Sequence, residues 1–354
     1  MAIKLAVAAK TDVGKVRTNN EDAYVIADLN RGDRVTAEKP TDFDVQSRGV
    51  LLAVSDGMGG EQAGEVASAL VVETLRKVLV DIAPESEESK TSITHIIEDA
   101  VTKANEEVFA AAKDPGKRGM GATLTAVFVN GPSAYIAEIG DSRAYLLRGR
   151  RMRQMTKDQS FVQLLLDSGA ITEEEAANYP HKNIILQAIG QQKNLNIAVG
   201  KLGLRRGDRL LLCSDGLSNK VTPDEMRDIV CAAKSIDEAC TKLIETANER
   251  GGDDNATVVL AEATGDDLIV YRDEETVTQT FEVVKAGPNT DIKSDRPPPP
   301  ESDKEVEKTP DEKSEAEAPA PPADEAELKS RPLQMAVAVL MMAVMIGVVY
   351  LIFR

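Results

Sequence analysis

The chain has no tryptophan, and aromatic residues make up only 3% of its 354 positions. That scarcity excludes a platform of aromatic side chains on which nucleic-acid bases stack. Basic residues are also in deficit, with 42 Lys and Arg against 59 Asp and Glu and a formal charge of −17. Such a charge makes nucleic acid a poor partner. Cysteine is scarce as well: Cys213, Cys231 and Cys240 offer neither a disulfide framework nor metal-ligand spacing. They read as buried thiols in a reducing compartment. The two histidines, His95 and His181, lie outside the acidic motifs described below.

Long apolar runs are absent until the end of the chain. The start, Met1-Ala-Ile-Lys-Leu-Ala-Val7, is too short in its apolar part to read as a signal peptide. Met335 to Phe353, by contrast, contains no charged residue. A helix over residues 333–353 would be about 31 Å long at 1.5 Å per residue, close to the hydrocarbon thickness of a bilayer. Lys329 and Arg331 precede it. The pattern predicts a single-pass membrane anchor with the preceding domain on the cytoplasmic side.

Residues 1–263 read as one compact domain that alternates between two periodicities. Ile3 to Ala9, Gly49 to Val54, Ala122 to Val129, Ser133 to Ile139, Arg143 to Arg148, Leu210 to Ser214 and Ala256 to Ala261 read as strands. Asn130-Gly131 is a hairpin turn between two of them. Glu61 to Leu79, 92–112, 158–178, Pro223 to Ile229 and Ile236 to Glu249 follow the helical period. The polar segment 30–47 reads as a loop. This order predicts sheets covered by helices in layers. Residues 264–332 read as a linker. Leu268 to Tyr271 and Thr280 to Val284 are either short strands or apolar pieces of it. Between 291 and 330 there are 8 prolines and 13 acidic residues but no aromatic residue, a composition that cannot build a core.

The chemistry concentrates in glycine-rich turns. Val54-Ser-Asp-Gly-Met-Gly-Gly60 places Asp56 at the end of an apolar strand. The pattern returns at Leu210-Leu-Leu-Cys-Ser-Asp-Gly-Leu217, which carries Asp215. Asn20-Glu-Asp22 and Gly252-Asp-Asp-Asn255 add Glu21, Asp22 and Asp254. One Asp-Gly is a common turn, but two strand-end Ser-Asp-Gly units point to a shared site. Several carboxylates gathered from separate elements suit hard divalent ions such as Mg²⁺ and Mn²⁺. Asp56 is placed to bridge two ions, with Gly57 lending its carbonyl. Gly140-Asp-Ser-Arg143 adds Asp141 at the rim of the cluster. Arg17, just before Asn20-Glu-Asp22, supplies a planar fork of donors suited to phosphate. No Cys-x₅-Arg loop, P-loop or kinase glycine loop is present, which excludes those routes to phosphate chemistry.

Six segments in order carry a resemblance. They are Thr11 to Asp22, Ser55-Asp-Gly-Met-Gly-Gly60, Gly121-Ala-Thr-Leu-Thr125, Gly140-Asp-Ser-Arg143, Ser214-Asp-Gly-Leu217 and Asp253-Asp-Asn-Ala-Thr257. Over residues 5–262 the chain resembles the metal-dependent PP2C-type (PPM) serine/threonine phosphatases, and Thr156 to Gly190 is similar to their bacterial branch. The resemblance implies an α+β fold, a four-layer α-β-β-α sandwich with two central antiparallel sheets. It implies that Asp56 bridges both ions, Mn²⁺ or Mg²⁺, and that Gly57 serves the second through its carbonyl. Asp215 and Asp254 would complete the first, Asp22 and Glu21 the second, and Asp141 with Asp215 a weaker third. Arg17 would bind phosphate, residues 156–180 would form a mobile flap, and a metal-bridging hydroxide would attack phosphorus. The implied substrates are phosphorylated proteins, including a membrane serine/threonine kinase and its targets. Some relatives have histidine as proposed general acid where this chain has Met58, which has no proton to give. A phosphoprotein-binding module with little turnover is the alternative reading.

Overall fold

The computed structural model describes residues 3–35, 40–59, 63–82, 92–177, 179–180, 184–272 and 279–286. The anchor expected at 333–353 and most of the linker lie outside them. Among the described residues no helix is long and apolar enough to cross a membrane.

The first strands are β1 (Ile3–Asp12), β2 (Asp22–Asp28), β3 (Asp33–Val35), β4 (Thr41–Val45) and β5 (Val50–Met58). Helices α1 (Ala63–Ile82) and α2 (Ile93–Ala111) follow, then β6 (Gly121–Ala122), β7 (Leu124–Asn130), β8 (Ser133–Ile139), β9 (Arg143–Arg148) and β10 (Arg151–Gln154). Next come α3 (Phe161–Asp167), α4 (Glu173–Ala177), β11 (Leu195–Gly203) and β12 (Arg209–Cys213). The remaining elements are α5 (Asp215–Ser218), α6 (Pro223–Ala232), α7 (Ile236–Glu249), β13 (Ala256–Thr264) and β14 (Gln279–Ala286).

Two antiparallel sheets result. One has the order β10-β9-β12-β13-β1-β4, the other β14-β11-β8-β7-β5-β2-β3, with β6 paired to β5. Side chains alternate across a strand, so each central strand feeds two apolar layers. Leu52 and Val54 of β5 meet Leu210 and Leu212 of β12 in the core between the sheets. Leu51 and Ala53 face the other way and pack with Val71 and Leu75 of α1 and Val101 of α2. Leu211 and Cys213 pack with Leu243 and Ala247 of α7. The layers are therefore helix, sheet, sheet, helix, as the resemblance implies. Burial on both faces is why these strands read as unbroken apolar runs.

Several expectations are corrected. Segment 30–47 is not all loop, because β4 pairs with β1 through Thr41↔Val7 to Val45↔Ile3. Only Phe43 of β4 is buried, which suits an edge strand. Segment 158–178 is not one helix but α3 and α4, separated at Gly169, whose φ of +69° no ordinary helix residue adopts. The structured part also reaches beyond residue 263. Strand β14 pairs with β11 from Gln279↔Leu202 to Ala286↔Leu195, so Thr280 to Val284 lies in a sheet. The described residues up to Leu164 and from Glu174 form one compact unit, and Leu165–Glu173 falls outside it.

Candidate active site

The β2–β5 register makes Asp22 and Asp56 direct cross-strand partners. Like charges placed opposite each other destabilise a sheet, so the pairing calls for a counter-ion. Burial, then the charges of Asp22, Asp215, Asp141 and Asp254, pushes the Asp56 carboxyl well above its ordinary range. All five acids are thus electrostatic neighbours. Burial raises Asp22 to about 7, against the hydroxyls that stabilise its charge. Burial and Asp215 raise Asp141 to about 7.

Local chemistry fixes each carboxylate. The Asp56 N–H donates to Thr123 Oγ1 at 2.9 Å, and the Thr123 N–H returns a bond to the Asp56 carbonyl at 2.8 Å. One oxygen of Asp22 accepts from Ser214 Oγ and from Thr257 Oγ1, both at 2.7 Å. Its other oxygen, Oδ1, is buried without a hydrogen-bond partner. Asp215 opens α5 directly after β12 and accepts the Asn219 amide at 3.0 Å. Asp254 accepts the Asn255 N–H at 2.9 Å and Arg17 Nη2 at 2.9 Å. Glu21 is held by its backbone, which donates to Asn255 Oδ1 at 2.7 Å.

The glycines of the two Ser-Asp-Gly units serve close approach. A Cβ on Gly57 would lie 2.0 Å from the Gly64 carbonyl oxygen and 2.8 Å from that of Glu21. A Cβ on Gly216 would lie 2.0 Å from the Asn255 carbonyl oxygen. Neither glycine has a positive φ, so packing between loops, and not backbone freedom, requires them.

Of the eight predicted residues, Asp22, Asp141, Asp215 and Asp254 act electrostatically on Asp56, Arg17 bonds Asp254, Glu21 feels the charges of Arg17 and Asp254, and Gly57 follows Asp56 in β5. Ser214, Thr257, Thr123 and Asn255 were visible inside the motifs but carried no assigned role. Their hydroxyls and amide orient the acids; Ser214 directly precedes an Asp-Gly, whereas Thr123, Asn255 and Thr257 are marked only by lying inside the motifs. Met58 ends β5 close to the acids. His95 sits exposed on α2 beside Glu98, at 3.1 Å, and His181 is outside the described residues.

The donor set fits hard cations. It is all oxygen, the charges of four acids raise the Asp56 carboxyl, and Asp22 Oδ1, buried without a hydrogen-bond partner, is a lone oxygen that a cation would satisfy. Among the described residues, however, no three His, Cys, Asp or Glu side chains form a ready-made ion cage.

Comparison with known proteins decides the class. Residues 28–261 match the family described as protein phosphatase 2C. The chain belongs to the protein phosphatase 2C family. It is 37% identical over 264 residues to protein phosphatase PhpP of Streptococcus pneumoniae, covering 74% of this chain and 99% of that protein. It is also 37% identical to serine/threonine protein phosphatase PstP of Mycobacterium tuberculosis, covering 46% of that longer protein. The catalytic domain of PstP, solved with two manganese ions, superposes with a TM-score of 0.61 at 36% identity, covering 74% of this chain and 100% of that one. As a member of this family the chain is a serine/threonine protein phosphatase.

One buried acid beside the site is not part of the cluster. Glu138 Oε2 accepts the Lys157 N–H at 2.9 Å, and Oε1 is buried without a partner. Burial raises Glu138 from the ordinary 4.5 to about 9, against the Lys157 N–H and with the charge of Asp158. The folded protein therefore keeps a proton there that the unfolded chain releases. Stability is unpenalised below about pH 4.5 and falls as pH rises towards 9. Glu138→Gln keeps an acceptor for Lys157 and cannot ionise. Its melting temperature in EDTA should match wild type near pH 5 and exceed it near pH 8, reflecting a stability gain on the order of a few kcal/mol. Parallel melting curves at the two pH values would refute this.

Proposed function

We propose that this phosphatase hydrolyses phosphoserine and phosphothreonine in proteins at a divalent-metal centre built on Asp56. The observation that carries the reading is the direct Asp22–Asp56 pairing, ringed by Asp141, Asp215 and Asp254. Asp56 would be shared by two ions, Mn²⁺ or Mg²⁺. Asp215 and Asp254 would complete the first, and Glu21, Asp22 and the Gly57 carbonyl the second. Asp141 with Asp215 would hold a weaker third. When bound, such ions supply activated water and neutralise charge on phosphate.

The chain's own groups do the rest. Arg17 is half exposed and already aimed at Asp254, so its fork reaches a phosphoryl group beside the acids. Met58 carries no transferable proton, so the proton for the departing serine or threonine oxygen comes from water. Water cleaves the P–O bond, leaving inorganic phosphate and a free hydroxyl. The test is release of phosphate from a phosphothreonine peptide by the full chain in Mn²⁺, in Mg²⁺ and in EDTA. Turnover in the metals and none in EDTA is expected. Folded, metal-loaded protein inert on several peptides would favour the binding-module reading.

The site's setting is a second part of the proposal. Residues 333–353 anchor the chain in the cell membrane, the acidic linker tethers it, and the catalytic domain, residues 1–263 with the β14 extension, stays cytoplasmic. Tethering raises its effective concentration near a membrane serine/threonine kinase and that kinase's substrates. Deleting 333–354 should move the protein from the membrane pellet to the supernatant. An unchanged distribution would remove the anchor.

A further inference from the structure

The loop carrying Asp141 is gripped from two sides. On the first side is Thr123. A Cβ on Gly140 would come within 2.7 Å of Thr123 Cγ2, so this contact requires glycine. Thr123 Oγ1 also hydrogen-bonds Ser142 Oγ at 2.7 Å, and Thr125 Oγ1 donates to the Ser142 carbonyl at 2.7 Å. Since Thr123 also holds the Asp56 backbone, the Asp56 and Asp141 loops share one fixed support.

On the second side is Gln159. Its Oε1 accepts the Gly140 N–H at 3.1 Å, and its own N–H donates to the Gly140 carbonyl at 2.7 Å. The same Oε1 accepts the Gln187 amide at 3.0 Å, and the Gln159 carbonyl accepts the Leu186 N–H at 2.7 Å. Gln187 is buried and exchanges two bonds with the Asn196 backbone of β11, both at 2.8 Å. One residue thus bonds the acidic loop and the segment 184–187, which leads back into the eight-stranded sheet.

Gly140 has a φ of +101°, a conformation only glycine holds easily, and is a buried residue. Without Gln159 Oε1 the Gly140 N–H and the Gln187 amide lose their shared acceptor, and only the backbone bonds of residue 159 to Gly140 and Leu186 remain on this side. We propose that Gln159 is a positioning residue: it locks the Gly140–Asp141 loop to segment 184–187, so that the placement of that segment sets the placement of the Asp141 carboxylate. The inference rests on the metal-centre reading only in giving Asp141 a part in turnover. The hydrogen-bonded lock itself does not depend on it.

The test compares full-length wild type with Gln159→Met and Gln159→Glu. Met has similar volume and no acceptor, whereas Glu keeps one. Amide hydrogen exchange at Gly140 is measured without metal, beside kcat and KM on a phosphothreonine peptide and the melting temperature. In Gln159→Met, Gly140 should exchange about tenfold faster and kcat should fall by a similar factor, as expected for one buried hydrogen bond lost. The rest of the fold should keep its exchange rates. Gln159→Glu should restore Gly140 protection. Unchanged Gly140 exchange in Gln159→Met would overturn the proposal. So would a general loss of protection and melting temperature in which Gln159→Glu does no better. If metal-loaded wild type is inert on this and several other phosphopeptides, the proposed turnover fails, and the Gly140 rates still decide the lock.

Discussion

Asp56→Asn should lower kcat/KM on a phosphothreonine peptide by about a thousandfold or more, the scale seen when a preorganised electrostatic element of a site is removed. Asparagine preserves the shape and the two backbone bonds to Thr123, which use main-chain atoms of residue 56. It removes the charge and replaces an anionic oxygen with either a neutral oxygen or an NH₂ that repels cations. The same substitution should act oppositely on the metal-free fold. The Asp56 carboxylate is disfavoured by burial and by four neighbouring acids, so neutral Asn relieves repulsion. In EDTA the variant should melt at or above the wild-type temperature. In Mn²⁺ the wild type should gain more than the variant, because an ion that binds only the folded state stabilises it by mass action. Activity lost through misfolding would lower both melting temperatures. Turnover near wild type would take Asp56 out of the centre of the site.

The candidate site was legible because its chemistry needs rare local patterns. A carboxylate at a strand end followed by glycine shows as an apolar run, Asp and Gly, and it occurs at both Asp56 and Asp215. The central strands were legible for a related reason: layers on both sides leave Val50–Val54 and Leu210–Cys213 without polar interruption. The edges were harder. Strand β4 buries Phe43 alone, and β10 is Arg-Met-Arg-Gln, so neither has an apolar signature. Strand β2 begins at Asp22, inside the site motif, and the acidic start masked the Tyr24-Val-Ile-Ala27 run that follows. Strand β11 alternates buried and open positions at several points, but two glycines and two polar residues within nine blur the pattern. Single-residue ties such as Asn255 to Glu21, 234 positions apart, leave no local trace.

A tie of this kind should also control stability. Arg148 and Asp208 form a bidentate pair, Nε to Oδ1 at 2.8 Å and Nη2 to Oδ2 at 2.7 Å. Their side chains are only 3% and 0% exposed, so neither charge can be solvated in place. Arg148 ends β9 in one sheet and also donates to the Gly203 carbonyl, at the end of β11 in the other, at 2.9 Å. Asp208 also accepts the Arg205 N–H at 2.7 Å, holding the turn before β12. Asp208→Ala removes all the carboxylate bonds and leaves a buried guanidinium that cannot deprotonate. The expected cost is about 3–5 kcal/mol, the range for breaking a buried pair from one side. At about 2–4 °C per kcal/mol for a domain of this size, melting should fall on the order of 10 °C. The loss measures an uncompensated charge and not the net value of the pair, because forming the pair also desolvated both ions. The double variant Arg148→Met, Asp208→Leu should therefore recover much of the loss, although the Arg205 N–H no longer has the Asp208 oxygen. If the double variant were as unstable as the single variants Arg148→Met and Asp208→Leu added together, the pair would not be acting as a coupled unit. The cost would then lie in the turn bonds to Arg205 and Gly203.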